Sequence, residues 1–208
     1  CQNKMEKKLT RREFLKKSCQ VCLGLGFSSV ALDRLLRPQA LALKNPSLFL
    51  HEARFYKSID ETTVQCELCP RGCTLSEGVR GFCRVREPKA GKLYSLAYAQ
   101  ACAVHIDPIE KKPLFHFLPG TPIFSIATAG CNFRCKFCQN WQISQFPPEE
   151  TYNYELPPQE VVNQALKNNC PSIAYTYTEP SIFYEYMLDT AKLAKLKGIK
   201  NMYHSNGS

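Results

Sequence analysis

Three cysteines fall within eight residues in the string Cys131-Asn132-Phe133-Arg134-Cys135-Lys136-Phe137-Cys138, spaced Cys-x3-Cys-x2-Cys. Thiolates are soft ligands, and three on one loop suit three irons of a cubane cluster. No fourth cysteine or histidine follows within the loop. A 4Fe-4S cluster held by Cys131, Cys135 and Cys138 would therefore keep one iron open, as a catalytic zinc site keeps a position that a structural site closes. The plainer alternatives are a zinc knuckle, which would want a fourth ligand nearby, or three unrelated buried thiols.

A second group lies upstream. Cys66, Cys69, Cys73 and Cys83 are spaced Cys-x2-Cys-x3-Cys-x9-Cys, with Gly72, Gly78 and Gly81 letting the backbone turn between them. Four soft ligands suit a closed structural zinc or a second iron–sulfur cluster; reduced thiols in a small β-rich core are the alternative. Seven of the 12 cysteines belong to these two groups. That is metal-ligand spacing, whereas disulfide frameworks usually occur in shorter secreted chains.

The elements around the loop predict how it is positioned. Pro122 to Thr128 reads as a buried strand leading into the loop. A helix starts at Pro157 and ends before Pro171, and Ser172 to Thr178 is a second strand. Ser181 to Lys197 reads as a helix facing a sheet with Tyr184, Met187, Leu188, Ala191 and Leu193. Gly198 caps it, and Ile199 to Ser205 is a third strand. Strand alternating with helix is the grammar of a parallel sheet with right-handed crossovers. Ligands in such folds meet the carboxyl ends of strands, which places Thr178, Glu179 and Asn206 beside the cysteine loop. For Glu179 the plainer reading is a cap on the following helix, and for Asn206 an ordinary Asn-Gly turn. Upstream, Thr62–Gln65, Lys92–Ala97 and Ala101–Ile106 are β-like, punctuated by Pro, Gly and Asp. His116, between Phe115 and Phe117, is expected to pack, and Ile109–Lys112 is either a solvated turn or a lip at the cavity mouth.

The loop and its setting resemble the radical SAM superfamily, in which Cys-x3-Cys-x-aromatic-Cys follows the first strand of an α/β unit. The resemblance implies that the open iron binds the amino and carboxylate groups of S-adenosylmethionine. One electron from a low-potential donor then yields methionine and a 5′-deoxyadenosyl radical. It further implies Phe137 beside the adenine, and Thr178, Glu179 and Asn206 as cofactor contacts. Activases of that superfamily commonly carry Gly-Gly-Glu-Pro where this chain has Tyr177-Thr178-Glu179-Pro180. Several further strings resemble the radical SAM protein of the AmmeMemoRadiSam system, related to pyruvate formate-lyase activating enzymes. They are Cys-x-Leu-Cys-Pro, Gly-x-x-Gly-x-Cys-x-Val-Arg, the run Asp107 to Gly120, and Cys138-Gln139-Asn140-Trp141. This match covers about residues 60–208 and implies AMMECR-type and Memo-type proteins as partners, but no substrate. The fold class expected is α/β: a truncated partial (βα) barrel of the radical SAM type over 121–208, preceded by a small β-rich region with the four-cysteine metal motif over 43–120. Residues 121–208 suffice for only two strand–helix units and one more strand, at roughly 30 residues per unit.

Residues 1–42 read as an address. Arg11-Arg12, Phe14-Leu15 and Lys16-Lys17 precede an apolar stretch from Val21 to Leu32, and Ala40-Leu41-Ala42 offers a cleavage site after Ala42. The segment resembles a twin-arginine export signal, implying a periplasmic or outer-face location; a cytoplasmic one is the alternative. Cys19 and Cys22 are read there as small apolar residues. The chain opens on Cys1, with Met5 the expected initiator, and stops at Ser208, so both ends are expected to be edges of a fragment. The first 44 residues hold ten Lys/Arg against three acids, so most of the formal +9 sits outside the body and no nucleic-acid partner is expected. Two other functions remain open: a non-catalytic iron–sulfur or zinc electron-transfer module, and a glycyl-radical enzyme activase.

Overall fold

A computed structural model describes residues 50–207. The expected export signal, with Arg11, Arg12, Cys19, Cys22 and Ala42, lies outside the described residues. Among the described residues no helix is long and apolar enough to cross a membrane.

The first strands are β1 (His51–Glu52), β2 (Tyr56–Ser58), β3 (Thr63–Cys66), β4 (Thr74–Ser76), β5 (Arg86–Lys89) and β6 (Lys92–Ser95). They form two small antiparallel sheets, ordered β2-β3-β4 and β1-β6-β5. Alternation explains β3: Val64 and Cys66 point inward while Gln65 is exposed. Both join Ala53, Leu75 and Leu93 in a small core. The β-rich region expected upstream is thus present.

Strand β7 (Gln100–Pro108) leads into β8 (Pro122–Thr128), followed by β9 (Tyr154–Glu155), β10 (Ser172–Tyr175) and β11 (Lys200–Tyr203). These make one sheet, ordered β11-β10-β8-β7-β9. The pairs β8–β10 and β10–β11 are parallel, with Ser172 opposite Ile123 and Lys200, and Tyr175 opposite Ile126 and Tyr203. β7 and β9 are antiparallel additions, so the sheet is mixed where a parallel one was expected. β7 joins β8 through residues 109–121, which open with a 3-10 turn over Ile109–Lys111, and antiparallel pairing needs no crossover helix. The described parallel strands form an open sheet. The continuous apolar run of β8 is buried from Ile123 to Thr128, as a strand covered on both faces should be.

Helices α1 (Trp141–Ser144), α2 (Pro158–Lys167) and α3 (Tyr184–Leu196) complete the described elements, with further 3-10 turns over Pro148–Glu150 and Pro180–Phe183. Val161, Val162 and Ala165 of α2 pack with Phe124, Ile126, Ile173 and Tyr175 of the sheet in the main core. α2 ends sooner than Pro171 requires. Asn169 takes a left-handed φ of 53°, and Cys170 N–H reaches back to the Ala165 carbonyl at 2.9 Å. Gly198 (φ 75°) closes α3 in the same way, with Ile199 N–H on the Ala194 carbonyl at 3.0 Å.

The face of α3 differs from the expected one. Its buried residues are Glu185, Tyr186, Thr190 and Ala194; Met187, Ala191 and Leu193 only flank the core. Glu185 turns inward because Arg86 on β5 meets it. Arg86 Nη2 donates to both Glu185 oxygens at 2.7 and 2.6 Å, Arg54 N–H adds a 2.6 Å bond, and both side chains are 1% exposed. A buried ion pair thereby fastens the β-rich region to the helix layer.

Removing one partner of a buried pair strands the other charge, which costs about 3–5 kcal/mol. Glu185→Ala should therefore lower urea-unfolding stability by that amount. Joint replacement by Arg86→Met and Glu185→Leu should recover most of it.

Candidate active site

The cysteine loop leaves the carboxyl end of β8 through Ala129 and Gly130. Gly130 has φ 82°, and a Cβ there would stand 2.2 Å from the Cys83 carbonyl oxygen and 2.8 Å from Val85 Cγ1. Only glycine fits this approach. Its N–H bonds the Ile143 carbonyl at 2.8 Å. Beyond it, Arg134 Nη1 donates to the Cys131 and Phe133 carbonyls at 2.8 Å each. Arg134 Nη2 reaches the Phe82 carbonyl at 2.6 Å, and Arg71 Nε reaches the Asn132 carbonyl at 2.7 Å. The loop backbone is thus held from two sides. Cys131 is buried, Cys138 partly buried with its Sγ 3.3 Å from Ser144 Oγ, and Cys135 exposed. Burial raises the Cys131 thiol above its ordinary pKa, so a metal bound there must displace its proton.

Strand β10 stops at Tyr175, three residues earlier than expected. Thr176 N–H still reaches the Ile126 carbonyl at 3.1 Å, but Tyr177 turns with φ 65°. This left-handed conformation suits glycine, and it falls where the resembled activases carry one. Asn140 Nδ2 holds the Tyr177 carbonyl at 2.9 Å, and Thr178 Oγ1 donates to the Thr128 carbonyl at 3.1 Å, so loop, β8 and β10 are tied together.

Glu179 follows, 2% exposed. Its carboxylate accepts from Ser181 Oγ at 2.8 Å, Ser205 Oγ at 2.7 Å, Asn206 N–H at 2.9 Å and Tyr203 OH at 3.3 Å. All four donors are neutral. The carboxylate also accepts a long 3.4 Å bond from Ser181 N–H at the start of the 3-10 turn, so the cap reading holds in part.

These groups share one space. A cavity of about 330 Å³ is lined by Cys131, Cys135, Cys138, Thr178, Glu179 and Asn206, as well as Lys111, Lys112, Tyr177 and His204. That is the scale of a small-molecule site. Phe137 does not line it and is 92% exposed. Trp141 is half exposed and stacks at a tilt on Phe146, and His116, expected to pack, is exposed. Among the described residues no three Cys, His, Asp or Glu side chains already stand in metal-ligating positions, and the thiols of both groups are free. The donor set nevertheless suits an iron–sulfur cluster: three thiols from one loop open into the same cavity, and no fourth cysteine lines it.

One cluster was missed from sequence. Asp107, at the end of β7, accepts from Lys111 Nζ at 2.8 Å, Lys112 Nζ at 2.7 Å, Ser125 Oγ at 2.9 Å and the Tyr177 hydroxyl. Lys112 is buried with its Nζ 4.3 Å from the Tyr177 ring centroid. The Ile109–Lys112 run is therefore the lip at the cavity, not a solvated turn. Burial alone would raise the Asp107 carboxyl. The hydrogen bonds from both lysines, Tyr177 and Ser125 outweigh it and hold the group well below the ordinary carboxylate range. Burial, then Asp107, push the Tyr177 phenol up. The run Asp107-Pro108-Ile109-Glu110-Lys111-Lys112 hinted at this only through an i,i+4 and i,i+5 charge spacing.

Residues 125–208 match the radical SAM superfamily, whose members are generally enzymes. Two uncharacterised proteins of Methanocaldococcus jannaschii are similar to the chain. MJ0808 is 52% identical over 158 residues, which are 76% of this chain and 47% of that protein. MJ0674 is 37% identical over 81 residues, 38% of this chain and 19% of that protein. The chain thus spans about half the length of the first and a fifth of the second. No solved structure matches it.

Gly130→Ala should combine backbone strain of about 1–3 kcal/mol with overpacking against Cys83. Iron uptake on anaerobic reconstitution should fall sharply, while Gly198→Ala, equally left-handed but with open space around it, should keep full uptake. A depressed Asp107 contributes stability above the unfolded carboxylate pKa of about 4 and loses it as pH falls below that value. Asp107→Asn should therefore be less stable than wild type at pH 7, and its stability should decline less between about pH 4 and 2 in denaturant titrations.

Proposed function

We propose that the radical SAM region over residues 125–208 belongs to an enzyme that cleaves S-adenosylmethionine reductively, with Cys131, Cys135 and Cys138 holding its 4Fe-4S cluster. The observation that carries this reading is the shared cavity. Three thiols from the β8 loop, Thr178 and Glu179 after β10, and Asn206 after β11 converge although they are up to 75 positions apart. When bound, the cluster would supply one electron to the sulfonium, giving methionine and a 5′-deoxyadenosyl radical for hydrogen abstraction from the substrate.

The chain's own residues bind and orient. Glu179 presents a buried carboxylate surrounded by neutral donors, a setting that favours a cationic partner such as the amino group of S-adenosylmethionine. Asn206 is held there through its own N–H, which leaves its side-chain amide for a ribose hydroxyl or carboxylate. Thr178, bonded back to β8, fixes the height of Glu179 relative to the loop. The resemblance assigns Phe137 to the adenine; its ring is exposed on the loop outside the cavity, so this contact would require an adenine that extends beyond the cavity wall. A partial barrel completed by further strands would enclose the substrate side of this cavity. Within the superfamily we place the protein with AmmeMemoRadiSam and pyruvate formate-lyase activating relatives. A low-potential donor, AMMECR-type and Memo-type partners and export by the twin-arginine route complete the proposal.

The full-length protein, reconstituted anaerobically with iron and sulfide and reduced with dithionite, should convert S-adenosylmethionine to 5′-deoxyadenosine. Its reduced-cluster electron paramagnetic resonance spectrum should change on adding S-adenosylmethionine. An unchanged spectrum and no product from a verified 4Fe-4S protein would instead identify an electron-transfer module. Glu179→Gln should weaken S-adenosylmethionine binding about 10- to 100-fold, the range of a charged hydrogen bond worth roughly 1.5–3 kcal/mol.

A further inference from the structure

The four upstream cysteines surround a second, separate cavity, and its size decides what can fill it. Cys66, Cys69, Cys73 and Cys83 line a space of about 20 Å³, closed by Leu75 and Phe82. A single water needs about 10–15 Å³ measured in this way, so the space takes one atom-sized guest. A cubane of four irons and four sulfides is several times larger than this space, so a single ion is the better match.

The backbone presents the thiols from separate directions. Cys66 ends β3 and its N–H bonds the Cys73 carbonyl at 2.9 Å, just before β4. Cys69 opens a turn closed by Gly72 N–H at 3.2 Å, with Gly72 at φ 52°. Cys83 comes from a different turn, where Arg84 N–H bonds the Gly81 carbonyl at 2.8 Å. Two thiols from a hairpin root, one from its loop and one from a separate turn can close around an ion and supply all four ligands of a tetrahedral site.

Charge points the same way. Arg71 and Arg86 both line this cavity. Arg86 is 1% exposed, and its Nε has no hydrogen-bond partner among the described residues, although its other nitrogens bond Arg54 and Glu185. A buried donor without an acceptor is costly, and a thiolate sulfur would satisfy it. Four thiolates around a divalent ion carry a net charge of −2; Arg71 offsets one of these charges, and Arg86, already paired with Glu185, contributes its unpartnered Nε–H as a donor.

We infer that Cys66, Cys69, Cys73 and Cys83 bind one zinc ion in a closed tetrahedral site, distinct from the cavity of the three-cysteine loop. The ion also stiffens that loop from outside. The Cys83 carbonyl abuts Gly130, and the Phe82 ring lies between the Arg71 and Arg134 guanidiniums at 3.4 and 4.0 Å from its centroid. Both arginines hold loop carbonyls.

This inference does not rest on the proposed enzyme activity, and its test reads metal alone. The full-length protein, purified without added metal and dialysed against a chelator, should contain one zinc per chain. Zinc-edge X-ray absorption should show four sulfurs at about 2.3 Å and no nitrogen or oxygen. A Cys131→Ser, Cys135→Ser, Cys138→Ser triple variant should keep that zinc. Cys83→Ser should retain less than about a tenth of it, since losing a direct ligand exceeds the roughly 10–100-fold cost of losing an outer partner. The wild-type measurement stands whether or not the variants fold. Four freely reactive thiols with no zinc, disulfides among them, mononuclear iron in place of zinc, about eight irons per chain, or loss of zinc in the triple variant would each overturn the inference.

Discussion

The Arg86–Glu185 pair is the constraint on which the described structure turns. Two full charges, each 1% exposed, are stable only while they face one another. That requirement fixes where α3 lies, which of its faces turns inward, and how closely β5 approaches the helix layer. Because β5 follows Cys83 by three residues, it also fixes the Cys83 turn against the start of the cysteine loop. The geometry of the candidate active site is thus inherited from an ion pair outside the cavity.

The second organising feature is Glu179. Its hydrogen bonds join the turn after β10 to Tyr203, Ser205 and Asn206 at the end of β11. The carboxylate proposed to contact the ligand is here also the fastening between neighbouring parallel strands. On the other side, Thr178 and Asn140 tie the same turn to β8 and the loop. The strand ends therefore form one hydrogen-bonded rim.

Much of this was legible in the residues. Cysteine spacing located both clusters of thiols, the largely apolar run of β8 marked a buried strand, and Gly198 marked the end of α3. What was hidden has a common cause. Hydrophobic periodicity counts apolar side chains, so it misplaced the inner face of α3, where a glutamate is buried. It identified β7 as a strand but could not tell its neighbour, because alternation specifies a face and not a partner. The left-handed Tyr177 carries no signature, since nothing in the type of residue announces a conformation imposed by tertiary hydrogen bonds. The run Ile109–Lys112 stayed open between a solvated turn and a lip, because the Asp107 carboxylate that gathers Lys111 and Lys112 and the Tyr177 hydroxyl that joins them lie 70 positions apart. Residues 1–49 lie outside the described portion.

Phe82 illustrates how far a chemical centre can extend. It is over a third exposed and lines the small four-cysteine cavity but not the larger one, so by accessibility it ranks as ordinary surface. Yet each guanidinium stacked on it is worth about 0.5–1 kcal/mol and steers a side chain that grips the loop backbone. The aromatic works as a washer between two bolts. Substitution at this outward position would therefore loosen the three-cysteine loop, and a catalogue of functional residues drawn only from the wall of that loop's cavity would omit it.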